Sequence, residues 1–283
     1  GHYDLALKLL DDAVKTRREC LQKDLKAHPA VAVSLAKRGL VLFALERHDE
    51  ALLSLSEALE QRRRILSFDH LEMGKIHCAI GAVHYRRGDA ISALKSFTSA
   101  LEVQRLWLEG PVRREAIVFD ASVTLANMGR IYVDRAECDM ALYVYEEALL
   151  LQTTVFRKDH ESVLTTLGNI AFAKARKGDH AKALQIYRGI YRSQVTKAGG
   201  PDSRRAAETM GLMAAMHLQL RHHGEAAVCL EALLDWQRRH LPGGDPALRN
   251  TETALRKLRR MLGEDDHELA STLSGSTADR STF

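Results

Sequence analysis

Apolar residues recur along this chain at three- and four-residue spacings, the period of a helix that turns one face to a core. The stretch from Ala121 to His160 shows the pattern most fully. Leu125, Met128 and Tyr132 fall on one face of a first helix, and Ala141, Tyr145 and Ala148 on one face of a second. The polar residues between them, Glu137-Cys138-Asp139, predict a tight turn. Small residues stand where two such helices must approach closely, Gly129 in the first and Ala141 in the second. The spacing predicts an antiparallel helix pair, here called helix A and helix B.

The same pair recurs. The small residue of helix A stands at Gly39, Gly81, Gly129, Ala171 and Ala214, at spacings of 42, 48, 42 and 43. Twelve residues later comes an alanine each time, at Ala51, Ala93, Ala141, Ala183 and Ala226. Four further on stands a large apolar residue (Leu55, Phe97, Tyr145, Tyr187, Leu230), and three beyond that Ala58, Ala100, Ala148, Ile190 or Leu233. Five copies in one register predict an all-α fold, a right-handed α-solenoid in which each pair packs on its neighbours. The array is expected over 1–262: a half repeat at 1–24, full repeats at 28–66, 70–110, 111–157, 160–199 and 202–241, and a capping helix at 246–262. The half repeat is a B-type helix without its A partner, so its Leu5, Leu9 and Leu10 flank is expected to be exposed and the chain reads as a fragment. Turns are expected at Arg87-Gly88-Asp89, Lys177-Gly178-Asp179 and Arg221-His222-His223-Gly224. Arg38 stands where other copies carry an aliphatic residue, and six extra residues precede the third helix A near Pro111. The Ser/Thr-rich tail, 263–283, lacks apolar periodicity and is expected to be disordered.

The order Leu-x2-aliphatic-Gly-x2-Tyr, then Ala-x3-Tyr-x2-Ala, resembles the tetratricopeptide (TPR) signature. A common TPR unit has about 34 residues, so these longer pairs carry roughly two extra helical turns. The junctions His28-Pro29, Asp69-His70, Asp159-His160 and Gly244-Asp245-Pro246, with Leu125-Ala126-Asn127-Met128-Gly129 and Leu167-Gly168-Asn169-Ile170-Ala171 in helix A, resemble kinesin light chain TPRs. That resemblance implies a cargo-adaptor role and a groove whose helix A asparagines hold extended acidic peptides bearing a tryptophan. It also implies contact with a kinesin heavy chain through a heptad region N-terminal to the repeats, which this sequence does not contain. Of the paired groove asparagines only Asn127 and Asn169 are present; Lys37, Ala79 and Leu212 fill the other slots.

Composition changes the picture little. A formal net charge of +4 spread over mixed Lys/Arg and Asp/Glu does not argue for nucleic acid. No apolar run is long enough to span a membrane. Cys20, Cys78, Cys138 and Cys229 form no C-x-x-C pair and read as free thiols in a reducing, cytoplasmic setting.

Thirteen histidines are the candidates for catalytic or metal chemistry. His77 and His84 occupy one helix face where other copies place apolar residues, and His222-His223 lies in a turn without zinc-site spacing. They read as packing residues. Without a nucleophile elbow, phosphate loop or H-E-x-x-H, neither catalytic residues nor a metal or cofactor is expected, and the chain reads as no enzyme. The remaining signal lies on helix A. Repeat geometry turns Lys37, Lys75, Arg86, Asn127, Arg130, Asn169, Phe172 and Arg176 to the concave face, with Asp134 and Glu208 as the acidic members and Phe43 and Tyr85 interleaved. This predicts a non-catalytic scaffold binding an acidic, extended peptide, with a regulatory TPR segment of a larger signalling ATPase or enzyme as the alternative.

Overall fold

The computed structural model describes residues 2–21, 28–64, 70–110, 115–198, 200 and 202–263. Among the described residues it holds twelve α-helices and no strand. They are α1 (His2–Leu21), α2 (Pro29–Ala44), α3 (His48–Arg63), α4 (Leu71–Arg86), α5 (Ala90–Leu108), α6 (Glu115–Asp134), α7 (Cys138–Thr153), α8 (Glu161–Arg176), α9 (His180–Ala198), α10 (Arg204–Gln219), α11 (His223–His240) and α12 (Pro246–Leu262). Two compact units, Gly1–Thr166 and Leu167–Phe283, divide within α8. In the first unit each helix from α1 to α7 packs on the next, and α2, α4 and α6 also touch in series. In the second, α9, α10, α11 and α12 pack in chain order.

What sets the crossing within a pair is a missing side chain. A Cβ on Gly129 would lie 2.3 Å from the Tyr145 ring, one on Gly39 2.6 Å from Leu55, and one on Gly81 2.9 Å from Phe97. The large helix B residue therefore lies directly on the helix A backbone. The helix B alanines Ala51, Ala93, Ala141, Ala183 and Ala226 are all fully buried.

The A-to-B turns share one backbone device. The left-handed residue stands at Glu46, Gly88, Ala136, Gly178 and Arg221, with φ of 60°, 80°, 60°, 93° and 59°. The N–H of the following residue reaches back five positions in every turn: Arg47 to Leu42, Asp89 to His84, Glu137 to Tyr132, Asp179 to Lys174 and His222 to His217. These bonds close the helix end as a Schellman motif. Two expected turn positions move accordingly. The third turn lies at 135–137, one to two residues earlier than its polar cluster implied. Gly224 falls inside α11, and Arg221 supplies the left-handed residue of the fifth turn. The repeat imposes the conformation whether or not a glycine is present.

Helix A begins on a different device. His28, His70 and His160 each accept a hydrogen bond at Nδ1 from the backbone N–H two residues on, at 3.1, 3.2 and 3.2 Å. The junction histidines are thus N-caps, occupying the place that Ser203 and Asp245 fill before α10 and α12. The insertion before the third repeat is partly helical: α6 has 20 residues where α2, α4, α8 and α10 have 16. Pro111, placed by sequence at that helix start, lies outside the described residues.

Arg38 fills its aliphatic slot without leaving its charge unpaired. Its Nε donates to Asp11 at 2.5 Å and its guanidinium to Ser54. Arg17 donates to the Ala30 carbonyl and to Ser34, and Arg18 pairs with Glu57, so α1 is fastened to α2 and α3 by polar contacts. The opposite flank of α1 exposes Tyr3, Leu5 and Leu9. Leu10, expected on that flank, is half-buried. At the other end α12 buries Leu248, Leu255 and Leu258 and stops at Gly263 with φ 75°. Of the tail expected to be disordered, residues 264–283 lie outside the described residues.

Two substitutions test this packing in opposite directions. Gly129→Ala should lower stability by about 1–3 kcal/mol, because Tyr145 has no room to retreat. The loss should centre on the α6–α7 pair, since each pair touches only its neighbours; amide exchange localises it, and unchanged protection there counts against the crossing described. Ala136→Gly should raise stability by about 0.5–1 kcal/mol by relieving a left-handed residue of its Cβ, with a rise in thermal midpoint as the readout.

Candidate functional site

Within the first unit the exposed edge of helix A is read most directly on α4 and α6, which touch. On α6, Asp120, Val123, Asn127, Arg130 and Asp134 recur at three- and four-residue spacings and so share one stripe. Asn127 and Asp120 are half-buried; Arg130 and Asp134 are exposed. On α4 the corresponding stripe is Lys75, Cys78, Ala79, Ala82, Tyr85 and Arg86. The small residues in its middle are half-buried, and Lys75 and Arg86 at its two ends are exposed.

The two stripes meet at both ends. At the C-terminal end the Tyr85 hydroxyl donates to the Asp134 carboxylate at 2.5 Å. Burial, then this bond, raises the Tyr85 pKa, with Arg130 and Arg86 near enough to oppose the shift. Tyr145, lying on Gly129, is pushed up to about 12 by burial, and its hydroxyl also feels Arg130, Asp134 and Tyr85. Arg86, Tyr85, Arg130, Asp134 and Tyr145 therefore form one cluster. At the N-terminal end Lys75 pairs with Glu72 at 3.3 Å. Burial raises the Asp120 carboxyl pKa, Lys75 opposing and Glu72 adding to the rise. Between the ends, Cys78 Sγ lies 3.5 Å from Thr124 Oγ1, and burial raises the thiol pKa.

The sequence-predicted residues divide as follows. Arg86 and Arg130 are brought together around Tyr85, with Asn127 one turn from Arg130. Lys75 stands at the opposite end, already paired. Lys37 is exposed on α2, which touches α4. Asn169, Phe172 and Arg176 belong to the second unit, where Asn169 is half-buried and Phe172 and Arg176 are exposed. Phe43 is half-buried with its ring 5.8 Å from His48. Leu212, already placed in a groove slot by sequence, is 42% exposed; Leu40 and Val123 in the first unit and Leu218 in the second, which went unnoticed, are 51%, 39% and 39% exposed. Their signal was available, since they occupy the groove positions counted from the repeat glycine. The Tyr85–Asp134 bond had no such signal, because it joins residues 49 apart through a contact between helices.

The histidines are structural in their surroundings. His77 is 9% exposed, its pKa lowered by burial and then by Arg63. His217 is 2% exposed, its pKa lowered by burial and then by Arg188, whose guanidinium lies 3.4 Å from Nε2. No group of three His, Cys, Asp or Glu able to hold a metal ion occurs among the described residues. Nor, among them, is any helix long and apolar enough to cross a membrane.

Repeated helix pairs with an exposed, charged and partly apolar helix A edge define an α-solenoid of the protein-interaction class. The tetratricopeptide repeat model matches residues 30–105, 120–194 and 162–238, and the chain belongs to that family. No curated protein matches it by overall sequence comparison. Its fold is similar to that of a kinesin light chain of nearly identical TPR-like repeats from Podosopora anserina, with TM-score 0.64 and 16% identity over 75% of this chain and 97% of that one. It is similar to BtubC (BKLC) from P. vanneervenii, with TM-score 0.63 and 19% identity over 85% and 94%. The apo form of RapI gives TM-score 0.65 and 12% identity over 94% and 75%. At these identities the likeness is one of fold.

The two buried imidazoles carry a pH consequence. Burial disfavours the charged form of each in the folded protein and lowers its pKa, whereas an unfolded histidine titrates near 6.5. Their stabilising contribution is complete above pH 6.5 and is lost as pH falls from there toward the lowered folded values. Stability should therefore fall between pH 7 and 5. His77→Leu should flatten the loss in the first unit, measured by denaturant midpoints across that range, and an unaltered acid limb would exclude this contribution.

Proposed function

We propose that this chain is a non-catalytic, cytoplasmic scaffold whose helix A face binds an extended acidic segment of a partner protein. The observation that carries the reading is the pair Arg86 and Arg130. They stand on touching helices beside the same tyrosine, both exposed, and neither makes an ion pair among the described residues. Guanidinium groups so placed can hold carboxylates through two parallel hydrogen bonds. Asn127, half-buried one turn away, offers an amide for a ligand backbone, and Leu40 and Val123 supply apolar surface for an anchoring side chain. In the second unit Asn169, Phe172 and Arg176 repeat the combination of amide, aromatic and guanidinium on α8. The resemblance of the junction and helix A motifs to kinesin light chain repeats favours a cargo-adaptor role, in which a kinesin heavy chain would be the associated partner.

The test is a titration with a fluorescent acidic peptide bearing a tryptophan. Affinity should be on the order of micromolar, since an unstructured ligand must be ordered on docking. It should weaken as salt rises, because exposed charges are screened over about 8–10 Å at physiological ionic strength. Arg86→Glu with Arg130→Glu should abolish binding and leave helical content intact. Equal affinity in the double variant, or a wild type indifferent to salt, removes this reading.

A further inference from the structure

Arg130 has an obvious partner that it does not use. Asp134 lies four residues on along α6, the spacing at which opposite charges on a helix surface pair. Both side chains are exposed, yet the Asp134 carboxylate accepts instead from the Tyr85 hydroxyl of α4 at 2.5 Å. Arg130 makes no hydrogen bond or ion pair among the described residues, although it is near enough to act on both Tyr85 and Tyr145. Three other exposed arginines take a neighbouring carboxylate: Arg47 with Glu50, Arg64 with Glu60 and Arg204 with Glu208. At Arg130 a tyrosine of the neighbouring A helix reaches the acid first.

We propose that Tyr85 is a positioning residue for ligand binding, a latch that holds Asp134 aside so that the Arg130 guanidinium stays available to ligand carboxylates. This rests on the reading of the α4–α6 face as a peptide groove. The latch requires the hydroxyl to remain a donor, and burial together with Asp134 itself keeps Tyr85 protonated. It also requires α4 and α6 to be held together, which their packing provides. Tyr85 thereby acts on the ligand through Arg130 rather than by touching it. Removing only the hydroxyl would leave the ring and its packing in place and release Asp134 to the arginine four residues before it. The groove would then present a neutralised pair where it now presents a free cation, and an acidic ligand would have to displace Asp134 to bind.

The experiment uses the full chain, and its first arm needs no ligand. Selective 15N-arginine labelling, with Arg130→Lys to assign the signal, follows proton exchange at the Arg130 Nε–H. Exchange should slow in Tyr85→Phe, as the guanidinium gains a carboxylate partner, and return to the wild-type rate in Tyr85→Phe with Asp134→Asn. The second arm titrates the fluorescent acidic peptide. Tyr85→Phe should weaken binding by up to about fivefold, the range of an exposed ion pair that must be broken, and Asp134→Asn added to it should restore affinity. A merely structural role for Tyr85 would not be rescued by changing Asp134. Unchanged exchange in Tyr85→Phe, or loss of peptide affinity that Asp134→Asn does not recover, overturns the latch. Slowed and reversed exchange with no peptide binding by the wild type supports the latch and removes the groove reading instead.

Discussion

Contact between a helix A backbone and a large helix B side chain is the constraint on which this fold rests. Gly39, Gly81 and Gly129 carry no Cβ at the points where Leu55, Phe97 and Tyr145 lie, and a methyl group there would fall within 2.3–2.9 Å of those side chains. Close approach brings the fully buried alanines of helix B into contact range as well. It fixes how each pair crosses, and a fixed crossing repeated in register is what lets one pair stack on the next. A turn of three residues between two such helices must reverse the chain at one place, and that place is left-handed even where the residue is Glu46, Ala136 or Arg221.

This constraint also builds the candidate site. The packed side of helix A faces its own helix B, and another flank meets the neighbouring A helix, as α4 meets α6. Side chains left at that edge are free of packing duty and can vary in chemistry. Slot for slot, Lys75, Ala79, Ala82 and Arg86 on α4 correspond to Val123, Asn127, Arg130 and Asp134 on α6, and no slot keeps its residue. The close-approach positions are Gly or Ala on helix A in every copy, and Ala followed by Leu, Phe or Tyr on helix B. Chemical variety therefore falls where the repeat is least regular, in the slots that packing does not dictate.

Legibility in the sequence divides along the same line. The helices, their order and the positions of close approach could be read directly, because a fixed spacing of small and large apolar residues has one structural meaning. Arg38 seemed to break the pattern, and only the structure supplies Asp11 and Ser54 to pair it. The third and fifth turns were misplaced because polar clusters and Gly224 mark turns by composition, while the repeat register marks them by position. At the groove, slot counting found Arg86, Asn127 and Arg130 as residues of the helix A edge. It could not find that Lys75 is engaged by Glu72, or that Asp134 is engaged by Tyr85, since side-chain partnerships depend on rotamers and on neighbours distant in sequence.

Tyr145 shows how closely core and edge are joined. Its ring lies on Gly129, which is why that position tolerates no larger residue, while its hydroxyl reaches far enough to feel Arg130, Asp134 and Tyr85. Arg130 is the very next residue after the glycine. A close crossing that began as a packing requirement therefore also sets where the guanidinium emerges, and the tyrosine that enforces the crossing supplies part of its electrostatic surroundings. The placement of an exposed side chain on this edge therefore depends on the small residue beside it and on the large residue that the small one admits.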